Sequence, residues 1–154
     1  MNWERPYFTV VGVLLGLAGA LGTLMGLTGE TLEIGPALVD GPFAIWRGPV
    51  LIAAGVFLGK ATANGITERE DEALVFMGSV MVWIVGGTEL LGIVLGAIPG
   101  GSEVWIASPA AFLAAVGPPY PPAVLGVFLT LPAFRYAEDD VRTLLKRLFG
   151  QESE

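Results

Sequence analysis

Cysteine and histidine are both absent from the 154 residues, and charged residues make up only 15% of them. Without cysteine there is no disulfide framework, no thiol nucleophile and no thiolate ligand for zinc or an iron–sulfur cluster. Without histidine there is no imidazole for haem or zinc and no histidine general base. No serine or threonine has a base beside it in the sequence, so nucleophilic catalysis has no visible apparatus. Basic residues are scarce too, 8 against 15 acids for a net charge of -7. That balance argues against nucleic acid as a partner, because its binders cluster Lys and Arg. The expectation is a chain with no enzymatic activity, no cofactor and no metal site.

What is abundant is apolar surface: 53% of residues are hydrophobic and the mean hydropathy is +0.68. A soluble domain carries roughly 25% charged residues and scatters them periodically. Here they are gathered into islands between long apolar runs, the pattern of an integral membrane protein. A helix crossing the ~30 Å hydrocarbon core needs about 20 largely apolar residues. Residues 8–27 supply a first span without a charge. Ala18 and Ala20 have the spacing of a leader-cleavage site, but the run exceeds a leader's apolar region and its head carries Glu4 beside Arg5, so a retained span is expected. Residues 43–62 form the second span, in which Pro49 is expected to open the regular helix after an interfacial lead-in over 43–47. Residues 73–98 form the third, carrying one charge, Glu89, and ending at Pro99, Gly100 and Gly101.

The last apolar stretch, 104–134, is cut by Gly117, Pro118, Pro119, Tyr120, Pro121 and Pro122. Consecutive prolines cannot donate helix hydrogen bonds and favour extended backbone, which excludes one straight helix. Ser108 and Pro109 form an N-cap and first-turn pair, so the spacing predicts a helix from there, broken near Gly117 and resuming at about Pro122. Two placements stay open. Either the break lies at membrane depth, buried or lining a wet cavity, or it lies at the interface beside a re-entrant or interfacial helix over 109–116 and a short span after it. Beyond it, Val141, Leu144, Leu145, Leu148 and Phe149 recur at helical spacing with Arg142, Lys146 and Arg147 between them, as in an amphipathic surface helix. The expected fold is an all-α bundle of four transmembrane helices over residues 1–135, the fourth interrupted, followed by a cytoplasmic helix and tail over 136–154.

Arg5, Lys60, Arg69, Arg135, Arg142, Lys146 and Arg147 fall in the head, the middle loop and the tail, and the other two loops hold no basic residue. Four crossings with both termini cytoplasmic satisfy the positive-inside rule and point to a multi-pass protein of the cell membrane. Trp46 and Trp105 then fall at the outer interface, with Trp3, Tyr7 and Tyr136 at the inner one. Close helix approach in lipid relies on small residues. Gly12, Gly16, Gly19, Thr23 and Gly26 draw a groove along the first span, Gly48, Ile52, Gly55 and Gly59 along the second, and Gly78, Val82, Gly86, Glu89, Ile93 and Gly96 along the third. Internal packing is expected of these faces, while pairs such as Gly22 with Gly26 and Gly92 with Gly96 offer contacts for a homo-oligomer or larger membrane complex.

The succession Gly26-Leu27-Thr28, a short proline-containing loop, then Phe43-Ala44-Ile45-Trp46-Arg47-Gly48-Pro49-Val50-Leu51 resembles a family of small prokaryotic, largely archaeal, membrane proteins, domain of unknown function nine-eight-one. The likeness covers about the first 60 residues and departs at Arg47-Gly48, where the family tends to carry an acid before the proline. It implies a four-span architecture and no activity.

Glu89 is the candidate functional residue. A carboxylate near the middle of a transmembrane helix costs about 2.5–3.5 kcal/mol on insertion scales. At about 1.5 Å per residue Glu89 lies some 13 Å below the outer end of its span, and Arg47 about 6 Å below the outer end of its own, near enough for an ion pair. One reading makes Glu89 a register lock, paired with Arg47 or protonated and bonded to Thr88, Ser79 or a carbonyl. The other makes it a proton or cation site opening toward the break at Gly117, Pro118, Pro119, Pro121 and Pro122. The first suits a non-enzymatic accessory or scaffold subunit, the second a proton- or cation-coupled transporter or channel. Glu30, Glu33 and Asp40 in the first outer loop lack the spacing of a calcium loop and read as a solvated acidic segment.

Overall fold

The computed structural model describes residues 3–39, 44–99 and 105–137. The helix expected over 139–149, with Asp40 and Glu103, lies outside the described residues. In chain order come α1 (Glu4–Thr28), β1 (Leu32–Ile34), β2 (Ala37–Val39), α2 (Ala44–Asn64), α3 (Arg69–Ala97), α4 (Pro109–Val116), α5 (Pro122–Thr130) and a 3₁₀ segment, Leu131–Tyr136. The chain is mostly helical, and three helices, α1, α2 and α3, are long and apolar enough to cross a membrane.

The small-residue faces of α1 and α2 meet. A Cβ built on Gly12 would stand 3.1 Å from the Gly55 carbonyl, and one on Gly19 would stand 2.8 Å from the Ile52 nitrogen. Further along, a Cβ on Gly26 would lie 2.7 Å from the Ile45 nitrogen. Backbone therefore rests on backbone at Gly12, Gly19 and Gly26, which only glycine permits, while a Cβ at Gly16 or Gly59 of the same expected faces would meet nothing within 4 Å. This seam also corrects the expected start of the second helix. Pro49 lies inside α2, which begins five residues earlier at Ala44. A proline there removes one helix hydrogen bond. The turn before it is held instead by Ala44 and Gly48, both buried against α1, and Pro49 itself faces outward.

On α3, Gly78 sits over Ala54, Phe57 and Leu58 of α2, while Gly86 sits against Ala123 and Val127 of α5. Gly126 of α5 meets Val82 and Leu15. The core thus gathers Phe8, Leu15, Leu58, Val75, Val82 and Ala123 between four packed elements. Among the described residues the third face stops short of its expected length, because a Cβ at Gly96 would meet nothing within 4 Å; the same holds at Gly92, its partner in the pair suggested for an oligomer contact. Gly22, by contrast, is buried near Val39 and Gly48, and Gly26 rests on Ile45.

Helix ends follow local chemistry. Gly29, at φ 73°, closes α1 with its N–H on the Met25 carbonyl at 2.8 Å. At the end of α2, Ile66 N–H donates to the Ala61 carbonyl and Gly65 N–H to the Thr62 carbonyl, both at 3.2 Å, the two bonds of a Schellman motif with Gly65 at φ 99°. Glu68 caps α3 in a reciprocal box with Asp71, and Glu70, Asp71 and Glu72 occupy the positive end of its dipole.

The loop after α1 holds a feature the sequence reading left out. Leu32–Ile34 pairs antiparallel with Ala37–Val39 across a two-residue turn, with Gly35 at φ 58°. The proline segment docks on this hairpin: Tyr120 N–H donates to the Pro36 carbonyl at 2.7 Å, and Leu38 N–H donates to the Tyr120 carbonyl at 2.9 Å. At the other end of α4, Ala107 N–H donates to the Ile98 carbonyl at 2.9 Å, just past the end of α3. Residues 107–120 therefore run from the end of α3 to the hairpin that follows α1, and α4 spans the end of the bundle. Its eight residues include none that is buried.

Candidate functional site

Arg47 stands in the first turn of α2, and Glu89 lies eight residues before the end of α3 at Ala97. The structure brings them together: Arg47 Nη1 donates to Glu89 Oε1 at 2.7 Å. Their side chains are only 11% and 17% exposed, so the pair is largely removed from its surroundings. A bond this short between opposite charges is charge-assisted and well above a neutral hydrogen bond in strength. Neither hydroxyl considered for Glu89 serves it. Ser79 Oγ donates to the Val75 carbonyl and Thr88 Oγ1 to the Val85 carbonyl, each at 2.8 Å within α3.

The break lies at the same level. Gly86 packs on Ala123, and α3 and α5 run antiparallel, so Tyr120 and Pro121 stand at about the height of Glu89, one turn beyond Gly86. Gly117 ends α4, its N–H on the Ala114 carbonyl at 3.4 Å; Pro118 and Pro119 are exposed, and Pro121 and Pro122 open α5. Ser108 accepts from Ala111 N–H at 3.3 Å as the cap of α4. The grooves lined by Arg5 and Gly16, by Trp46 and Pro49, and by Leu17 and Pro122 are each formed without Arg47 or Glu89. Among the described residues no group of three or more Asp or Glu side chains is arranged to hold a metal ion. Glu30 and Glu33 are exposed.

Trp83 was assigned no role from the sequence, and it ties the far half of the bundle together. Its indole N–H donates to Thr130 Oγ1 at 2.8 Å, and its ring stacks on Phe134 with centroids 4.1 Å apart. Thr130 in turn donates to the Gly126 carbonyl at 2.8 Å. Trp46 and Trp105, by contrast, are 78% and 94% exposed at the end of the bundle that carries the hairpin.

A second polar cluster closes the opposite end. Glu4 pairs with Arg135, and Tyr136 Oη donates to Glu4 Oε2 at 2.8 Å. Tyr7 Oη donates to the Leu129 carbonyl at 2.7 Å. Tyr136 lies beyond the apolar run that ends at Phe134, and burial first, then the hydrogen bond and charge of Glu4, push its phenol pKa well above the ordinary tyrosine value. The start of α1 and the end of the 3₁₀ segment are thus neighbours. Comparison of the chain with protein-family models, with curated proteins and with solved structures gives no match.

Proposed function

We propose that this is a four-crossing protein of the cell membrane with a structural, non-enzymatic role, an accessory or scaffold subunit acting as a homo-oligomer or within a larger membrane complex. The fourth crossing in this reading is α5 with the 3₁₀ segment as far as Phe134, the proline break stands at its outer entrance, and α4 lies in the outer interface. The 3₁₀ rise of about 2.0 Å per residue lengthens an otherwise short span. Contact of Glu4 with Arg135 and Tyr136 supports an even number of crossings, since it holds the start of α1 and residue 136 at one end. Arg5, Lys60, Arg69 and Arg135 belong to that end, which makes it the cytoplasmic one by the positive-inside rule.

The observation that carries the structural reading is the Arg47–Glu89 pair at 2.7 Å. A carrier must load and release its proton or cation through a wet path, whereas a carboxylate matched by a guanidinium in direct contact is neutralised in place. The pair then holds α2 and α3 in one register.

Reconstitution into liposomes with a pH-sensitive dye tests this. The expected outcome is proton flux no greater than in protein-free vesicles. Glu89→Gln and Arg47→Gln should each lower stability by about 3 kcal/mol, because each removes one charge from a largely buried ion pair. Flux through the wild-type protein that Glu89→Gln abolishes, with the fold retained, would overturn the scaffold reading in favour of transport.

A further inference from the structure

The outer side of the α1–α2 seam is an open groove of about 580 Å³, and Gly16 and Gly59 leave unfilled space along it, since a Cβ on either would meet nothing within 4 Å. Its walls are Val13, Ile52 and Val56. Two hydroxyls reach it, and both are turned to their own helices: Thr9 donates to the Arg5 carbonyl at 2.7 Å and Thr62 to the Gly59 carbonyl at 3.1 Å. The channel between the helices is therefore effectively apolar.

One end is different. Arg5 lines the groove where α1 begins, and its guanidinium makes no ion pair among the described residues. Glu4 beside it is already engaged by Arg135 and Tyr136 and does not neutralise it. Lys60 is exposed and follows Gly59 of the lining by one residue near the same end, without itself lining the groove. From Arg5 to Gly16 the groove runs about 17 Å at the helical rise, close to half the ~30 Å hydrocarbon core. An apolar channel one leaflet deep with cations at its mouth has the shape and charge of one particular partner.

We infer that this groove holds one acyl chain of an anionic phospholipid from the leaflet at the start of α1, with its phosphate head group on Arg5 and Lys60. Snorkelling basic side chains at helix ends meet head groups at this depth, and each attracts an anionic lipid. The inference rests on the membrane-embedded reading above, not on the scaffold role.

The test equilibrates the full chain with vesicles of equimolar phosphatidylglycerol and phosphatidylcholine, then counts retained lipids by native mass spectrometry after mild detergent extraction. The expected result is one retained phosphatidylglycerol per chain, preferred on the order of tenfold, the scale that two basic residues beside an anionic head group supply. Gly16→Leu with Gly59→Leu puts side chains into the groove at two positions where a Cβ meets nothing within 4 Å, and should abolish retention. Arg5→Gln with Lys60→Gln should remove the head-group preference while leaving chain binding in place. Equal retention of both lipids by the wild type, or unchanged retention after the groove is filled, overturns the inference. Release of the chain from membranes by a carbonate wash without detergent would instead sink the membrane reading beneath it.

Discussion

The α1–α2 seam makes one substitution behave in opposite ways at neighbouring glycines. An alanine Cβ at Gly48 would overlap Thr23 Oγ1 and stand 2.6 Å from the Gly19 carbonyl and 2.8 Å from the Thr23 nitrogen. Rotating Thr23 relieves only the first contact, because the other two are backbone. Restoring ordinary spacing requires α1 and α2 to part by about 1 Å, and a gap of that size forfeits a quarter to a half of the dispersion energy of each contact it opens. The same separation pulls Gly12 from Gly55 and Gly26 from Ile45, so the loss is shared along the seam. Overpacking of this kind costs about 1–3 kcal/mol, and the upper part of that range is expected here. At Gly16 and Gly59 the added methyl enters open space, and the better helix propensity of alanine is worth up to about 1 kcal/mol in the other direction.

Unfolding by SDS in mixed micelles, followed by tryptophan fluorescence, separates the two cases. Gly48→Ala should unfold at distinctly lower SDS fraction than wild type, and Gly16→Ala and Gly59→Ala at the same or a higher one. If Gly16→Ala proves as damaging as Gly48→Ala, α1 presents a different face to α2 and the argument fails.

Two further outcomes follow from the polar ties. Trp83→Phe keeps the stack on Phe134 but removes the donor to Thr130, and should lower stability by about 1 kcal/mol in the same assay. Thr130→Val should do likewise, and the double variant should lose less than the sum; strict additivity would mean the two side chains do not interact. Tyr136 is favoured in its neutral form by the fold, so the stability it contributes is full below the ordinary tyrosine value near pH ~10 and is lost as pH rises beyond it. In an alkaline titration of tyrosinate absorbance one of the three tyrosines should ionise last, and Tyr136→Phe should delete that phase; simultaneous ionisation of all three would refute the assignment.

What could be read from the residues alone depended on whether the signal was local. Glycines at three- and four-residue steps mark a helix face directly, so Gly12, Gly19 and Gly26 and their partners Gly48 and Gly55 were legible without coordinates. Helical rise is a constant, and counting along it put Arg47 and Glu89 near enough for the ion pair that they form. The Pro49 expectation failed because a local rule, that proline opens helices, was overridden by burial of Ala44 and Gly48 against α1. The hairpin was missed because three-residue strands are too short to show a period, though Gly35-Pro36 between Leu32-Glu33-Ile34 and Ala37-Leu38-Val39 carried the turn. Gly92 with Gly96 reads the same as Gly22 with Gly26; among the described residues, α2 lies beside one pair and nothing stands within 4 Å of a Cβ at the other. Trp83 carried no pattern at all, because its partner Thr130 is 47 residues away.

On the membrane-embedded reading proposed above, the polar ties also give so apolar a bundle a single register. In lipid the apolar faces of helices gain little from one another, so a slide of one turn along a glycine seam changes the packing energy only modestly. A charge pair is not degenerate in this way. Sliding α3 by one turn, about 5.4 Å, against α2 would separate Arg47 from Glu89 and break their 2.7 Å contact. At the other end, Glu4 holds Arg135 and Tyr136, which fixes the end of the last helical segment against the start of α1. One tie joins the middle pair of helices near the end that carries the hairpin, and the other joins the outer pair at the opposite end. A bundle pinned at two diagonal points can neither slip nor rotate without opening one of them. Glycine seams set how close the helices come, and the charges set which residues face each other when they do.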